Sequence, residues 1–411
     1  MAEKNIFRGY VVAPGGAGHK EIEIENNLIT RVRDVDPNEA TEVYKFGDDI
    51  LIFPGIVDTH VHARQDVKGL KSYKETFATA VRAAIKGGVV AFMDMPNNDE
   101  PPVDKASYKA KKDLLLEQKL RMEIVLYAGI REDTEPFEND IPYKFFLGES
   151  VGPKSLFFSD YSKLEESLSR YQGLHTSGHC ESPEILSASK NQPTHELRRP
   201  AEAEVTAIDK VLTLFAKYDL EGTLCHVSTA RGIELAEQAA KSGIKVAIEL
   251  TQHHQFFDVA NKHVSLYPDF IKMNPPVRTP EDREAVLEAI RSSDIEIRWG
   301  SDHAPHTYKE KHESNPSGVP TLDTTGHMIT WLLEQDIRPE RLAKIFFDSG
   351  KFFSKFSKNK YGAIMPGYTS AFTLIDTNKP TAVTKEDLGT KCGWSPFEGI
   401  RFTGKARVWQ T

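Results

Sequence analysis

An α/β fold is predicted by three features of the sequence. Eight short apolar runs alternate with longer segments of helical periodicity, nearly every run closes on His, Asp, Asn or Lys, and both chain ends carry alternating stretches punctuated by glycine. The first two features predict a closed (β/α)8 barrel of the TIM type, in which chemistry gathers where the strands end and faces one mouth. The third predicts a small β-rich domain built from both termini. A doubly wound open sheet accepts the same alternation, so the strand ends carry the choice.

Taken in order, the N-terminal part contains "YVVAPGGAGHKEIEIENNLITRVRDV", a strand-and-turn pattern, and residues 1–50 are assigned to the small domain. The barrel is placed over 51–357. Its strands are read from "LIFPGIVDTHVH" (51–62), "GGVVAFMDMPN" (87–97), "RMEIVLYAGI" (121–130), "YKFFLG" (143–148), "GLHTSGHCE" (173–181), "GTLCHVST" (222–229), "KVAIELTQHH" (245–254) and "IEIRWGSDHAPH" (295–306). Between them, stretches such as "YKETFATAVRAAIKG" and "PEDREAVLEAIRSS" have apolar residues at helical spacing. After His306 the segment "TYKEKHESNPSGVPTLDTTG" reads as a long loop able to cover the mouth. Finally "AFTLIDTNKPTAV" and "GIRFTGKARVWQT" are strand-like, and 358–411 completes the small domain.

Composition narrows the class. The 411 residues suffice for a large core, 39% are hydrophobic and 27% charged, and the net charge of −8 is spread along the chain. Nothing in that pattern favours nucleic acid or a membrane surface. Cys180, Cys225 and Cys392 are far apart and odd in number, which argues against a disulfide framework and for a reducing compartment. The opening "MAEKNIFRGYVV" carries charge where a signal peptide needs its apolar core, and no apolar run approaches the roughly 20 residues of a membrane span. A cytoplasmic protein is expected.

In a strand, residues two apart share a face, so His60 and His62 project together, with Asp58 and Arg64 nominally on the same side. Two imidazoles make half a metal site, and alone they equally suit a pair of hydrogen-bonded core histidines. His179, His226 and Asp302 close three later runs. Four imidazoles and a carboxylate at one mouth exceed a single catalytic tetrahedral site, which keeps three protein ligands, and so imply two metals with a bridging anion. Lys144, on the fourth strand, could supply the bridge if carbon dioxide converts its amine to a carbamate; an interior lysine paired with a carboxylate is the alternative.

These motifs resemble the amidohydrolase superfamily and, within it, the dihydroorotases, from "FPGIVDTHVHAR" through "DMPNN", "KFFLG", "GHCE", "CHVS", "MNPPVR" and "GSDHAPH" to "SPFEG". The resemblance implies that His60, His62 and Asp302 bind one divalent metal and His179 and His226 a second, with carbamylated Lys144 between them and zinc the usual ion. It further implies that Asp302 acts as general base and acid beside a hydroxide shared by the metals. Arg64, Asn97 and His306, with Asn274, would hold the ring carboxylate of the substrate, whereas hydantoinase-like relatives take neutral rings and lack the arginine. The reaction so implied is the reversible cyclisation of N-carbamoyl-L-aspartate to L-dihydroorotate in pyrimidine biosynthesis, by a homo-oligomer or in complex with another enzyme of that pathway.

Two features depart from that family's pattern. After Arg64 the chain reads "QDVKGL" where an acidic or amide residue, Pro and Gly are usual, and Asp140 lies near the position where many bacterial relatives bridge with an aspartate. Glu181, His253 and His254 are expected to orient the ligands. Another cyclic amide hydrolase, such as an allantoinase or a dihydropyrimidinase, is the alternative, and a silent homologue serving as an assembly partner is a third.

Overall fold

The computed structural model describes residues 4–36 and 44–410. Parts of the expectations for the N-terminal segment, at 1–3 and 37–43, and for Thr411 lie outside the described residues.

Eight parallel strands form the barrel: Ile56–Val61, Val89–Asp94, Glu123–Leu126 continued by Ala128–Gly129, Tyr143–Leu147, His175–Cys180, Glu221–Leu224, Val246–Leu250 and Glu296–Trp299. Most are buried along their whole length, as strands covered by helices outside and side chains inside must be. The last strand reaches the first through side chains and one late backbone bond. Thr59 Oγ1 donates to Trp299 O at 3.1 Å, Ser301 N to Asp58 Oδ1 at 3.0 Å, and His62 N to His303 O at 2.8 Å. Helix Pro339–Phe353 packs against both strands of this seam, and fully buried Phe346 meets the rings of Phe53 and Trp299 at 5.6 and 6.0 Å. Burying one such side chain is worth about 1.5–3 kcal/mol.

The outer helices follow local rules. Phe77–Gly87 starts at Thr76, whose side chain accepts from Thr79 N in a capping box, and stops at Gly88 in the left-handed conformation that glycine adopts without cost. Its buried face, Phe77, Ala80, Val81, Ala83 and Ala84, recurs at helical spacing.

Both ends of the chain meet in one sheet. Lys4–Ala13 pairs with Gly16–Glu25, which pairs with Leu28–Asp34; on the other side Ile50–Pro54 joins Lys4–Ala13 to Ala371–Asp376, and the latter pairs with Lys405–Gln410. The run 51–62, read as one strand, is therefore two. Gly55 separates them: its N donates to Ala371 O at 3.1 Å, and a Cβ there would stand 2.6 Å from Val90 and 2.7 Å from that carbonyl. The stretch between Asp376 and Lys405 leaves the sheet and returns over the barrel mouth, where Trp394 Nε1 donates to His306 O at 2.7 Å. Among the described residues no helix is long and apolar enough to cross a membrane.

Candidate active site

The ends of the barrel strands converge on one cavity lined by His60, His62, Arg64, Asn97, His179, His226, Asn274 and Asp302, together with Phe146, Ser150, Val151, Ala304, Ser317 and Gly318. Three of these residues sit in the left-handed backbone region, Arg64 at φ 60°, His226 at φ 40° and Asp302 at φ 46°. For a non-glycine residue this costs about 1–3 kcal/mol and persists only where the surroundings over-determine it. Each turns its side chain inward just after its strand has ended.

The rings of His60 and His62 are 5.1 Å apart, and His226 lies 5.4 Å from His60 and 4.8 Å from His179. Asp302 Oδ1 is 3.0 Å from His62 Nε2 and 3.3 Å from His60 Nε2. One ligand atom from each of His60, His62 and Asp302 falls within 4.8 Å of the others, which is the geometry of a cation site. His179 Nδ1 stands 3.1 Å from His226 Nε2, and His226 Nδ1 is buried without a partner. Nitrogen and carboxylate donors crowded in this way suit a borderline divalent cation such as zinc.

Remote partners fix these rings. His60 Nδ1 is 2.6 Å from Glu249 Oε1, a carboxylate that also takes the Thr59 hydroxyl, and His62 Nδ1 donates to Asn97 Oδ1 at 2.6 Å. In both rings Nε2 is left facing Asp302, the arrangement by which outer partners orient metal-binding histidines. Glu181 stands 3.0 Å from His179 Nε2 as its charged neighbour and is itself gripped by Arg199.

Burial and charge compete throughout the cluster. Burial would lower His60, but Glu249 and Asp302 override it and push the imidazole up to about 10. Burial holds His62 down at about 4 and lowers His179 and His226. Asp302, which burial alone would raise, is kept well below the usual carboxylate range by His60, His62 and His226, and so stays ionised. A bound cation would take the place of the His60 proton, coupling metal loading to proton release.

Lys144 lies behind the histidines, fully buried, with Nζ donating to Cys225 Sγ at 2.8 Å. Among the described residues no carboxylate forms an ion pair with it. The interior lysine–carboxylate pair weighed from sequence is thus absent. Asp140 is exposed and lines no part of this cavity.

Arg64 is 5% exposed, its Nε has no hydrogen-bond partner, and no carboxylate among the described residues pairs with it. Its Nη2 stands 3.5 Å from His306 Nε2. Asn274 carries a buried, unpartnered Oδ1 and bonds Ser150 Oγ through Nδ2 at 3.4 Å. Both ends of the Asn97 amide are engaged, Nδ2 donating to Val151 O at 2.7 Å. The unusual stretch after Arg64 is held by its own residues: Gln65 Oε1 takes Phe77 N at 2.9 Å, and Asp66 takes Gly69 N at 2.8 Å and Glu100 N at 3.1 Å. The segment after His306 contains a helix, Tyr308–Glu313, and brings Ser317 and Gly318 to the cavity wall.

Sequence reasoning did not single out Glu249 or the part played by Cys225. Glu249 had a signal, a lone carboxylate in the otherwise apolar run "KVAIEL". Of the expected orienting pair, His254 bonds Thr251 and Pro275 O instead of a site residue, because the short helix Gln252–Phe256 turns it away. His253 is buried with both ring nitrogens unpartnered.

A family model, the amidohydrolase family, matches residues 51–390. The chain belongs to the amidohydrolase family. Within the family it is similar to proteins named dihydroorotase: one from Thermococcus kodakarensis, 33% identical over 410 residues with 97% of this chain and 91% of that one covered, and one from Pyrococcus furiosus, 29% identical with 98% and 88% covered. Among solved structures the fold matches an L-hydantoinase (dihydropyrimidinase) from Arthrobacter aurescens with a TM-score of 0.86, at 21% identity over 99% of this chain and 95% of that one. A dihydropyrimidinase from Brevibacillus agri matches with a TM-score of 0.82 at 19% identity, covering 98% and 92%. These two likenesses show the fold, a barrel with its added sheet.

Proposed function

We propose that this amidohydrolase is a dihydroorotase, closing N-carbamoyl-L-aspartate to L-dihydroorotate and reopening it, in pyrimidine synthesis in the cytoplasm. The observation that carries the reading is Arg64, a buried guanidinium at the cavity whose Nε has no hydrogen-bond partner and which forms no ion pair among the described residues. Leaving a buried charge unpaired is costly, so the site has a standing demand for a carboxylate, which dihydroorotate carries and a hydantoin ring does not. The full-length likeness to dihydroorotases supports it.

In this reading His60, His62 and Asp302 would hold one divalent ion and His179 and His226 a second, with Lys144, as a carbamate, contributing an anionic ligand; zinc would suit the donors. Lys144 can take up carbon dioxide as its neutral amine once its Nζ leaves Cys225, the nitrogen lone pair forming the N–C bond as one N–H proton departs to solvent. When bound, the metals polarise the reacting carbonyl and make water a nucleophile at neutral pH.

Arg64, Asn274 and His306 bind and orient the substrate carboxylate, with Asn97 at the same corner, its amide holding His62 and the Val151 carbonyl. In ring opening Asp302 takes the proton of the attacking water and delivers it to the departing ring nitrogen. In ring closure it accepts the proton of the carbamoyl nitrogen. The arrangement of the chain as a barrel with a composite β domain belongs to the same reading; the pairing of Ile50–Pro54 with Lys4–Ala13 and Ala371–Asp376 supports a boundary after Pro54.

Dihydroorotate, hydantoin and allantoin offered side by side, with and without chelator, test the assignment. Turnover of dihydroorotate alone, lost with chelator, is expected. Preference for either of the other rings would make the chain a different cyclic amide hydrolase, and no turnover by metal-loaded protein would leave the assembly-partner reading.

A further inference from the structure

Beside the carboxylate-binding corner lies a lysine that the reaction described above does not use. Lys74 is 6% exposed, with Nζ 3.0 Å from His306 Nδ1 and 2.8 Å from Glu310 Oε1. Glu310 is held in turn by the Tyr73 hydroxyl at 2.6 Å and Thr307 N at 2.9 Å, so the lysine is clamped from behind. An ammonium has three donors and no lone pair. Nδ1 of His306 must therefore accept, which leaves the proton of a neutral ring on Nε2. That Nε2–H donates to Ser317 O at 3.1 Å. Arg64 Nη2, itself a donor, lies 3.5 Å from the same nitrogen, a longer contact than the 3.1 Å to the Ser317 carbonyl, so the carbonyl has the stronger claim on it.

We propose that Lys74 is a positioning residue for the substrate: it locks His306 as a neutral imidazole with Nε2–H turned to the corner where Arg64 Nε has no partner, and the Ser317 carbonyl occupies the place of a substrate carboxylate oxygen. The inference rests on the assignment of His306 to carboxylate binding in the proposed function. The opposite tautomer would present a lone pair to the carboxylate and repel it. The charged groups facing His306 are Arg64, Lys74 and Lys311, with Glu310 behind Lys74. Burial, then these three cations, hold its ring far below the usual histidine range, so with Lys74 in place no second proton competes.

Two measurements test the lock independently. In protein labelled with 15N-histidine, with His306→Asn identifying the signal, the long-range 1H–15N spectrum is expected to show the His306 proton on Nε2. A proton on Nδ1, or on both nitrogens, overturns the proposal whether or not the protein turns over dihydroorotate. In the metal-loaded enzyme, Lys74→Met is expected to raise KM for dihydroorotate about ten-fold with kcat within about two-fold, and Lys74→Arg to recover most of the loss. A lysine that only props the loop would leave the His306 proton of Lys74→Met on the same nitrogen as in the wild type, and that result, or an unchanged KM, would refute the lock. Absence of dihydroorotate turnover in the wild type would instead count against the proposed function, leaving the tautomer to be decided by the spectrum.

Discussion

Asp302→Asn is expected to lower kcat for dihydroorotate by about 10³-fold, within the range that a positioned acid–base group contributes. The substitution is nearly isosteric, and Asn accepts the left-handed backbone that residue 302 occupies at φ 46° better than most side chains. The fold should therefore survive, with a thermal midpoint close to the wild type. Part of the loss would come from metal affinity, since Asp302 Oδ1 also faces His60 and His62. Measuring metal content beside kcat separates the two: a variant that keeps its metal and still turns over would remove Asp302 from the proton path. Asp302→Ala should lose activity to the same extent while remaining folded.

Arg64→Met is expected to reduce kcat/KM for dihydroorotate by about 10²–10³-fold, the loss typical when one partner of a buried charge pair is removed. Met keeps the unbranched stem and discards the guanidinium. Hydrolysis of neutral rings, however slow, should be spared, so the ratio of hydantoin to dihydroorotate turnover rises. Stability should move the other way. Because the Arg64 guanidinium is buried and forms no ion pair among the described residues, replacing it with an apolar side chain is expected to hold or raise the thermal midpoint. Equal losses on charged and neutral rings would show that Arg64 shapes the loop and not the choice of substrate.

Much of the barrel is legible in the sequence because strand period and strand length are local properties. The eight runs and their polar ends mark the strands, and the two-residue spacing of His60 and His62 is by itself enough to place both imidazoles on one face. The break at Gly55 is not local: it is set by Ala371 and Val90, which approach it from distant parts of the chain. The same holds for the outer partners of the site. His60 finds Glu249, Lys144 finds Cys225 and His306 finds Lys74 across separations of 189, 81 and 232 residues, so each pairing emerges only when the barrel closes. Glu249 could have been suspected as a carboxylate inside an apolar strand. The outward turn of His254 could not, since it depends on where one short helix begins.

The proposed reaction needs two cations held between His60, His62, Asp302, His179 and His226, and a carbamylated Lys144 beside them. Crystals of the zinc-loaded protein, measured on either side of the zinc absorption edge, test this most directly. Two anomalous peaks within reach of those five side chains, and density beyond Lys144 Nζ that turns away from Cys225, are expected. Peaks elsewhere on the chain, or a bare Lys144 still bonded to Cys225 in the loaded enzyme, would contradict it.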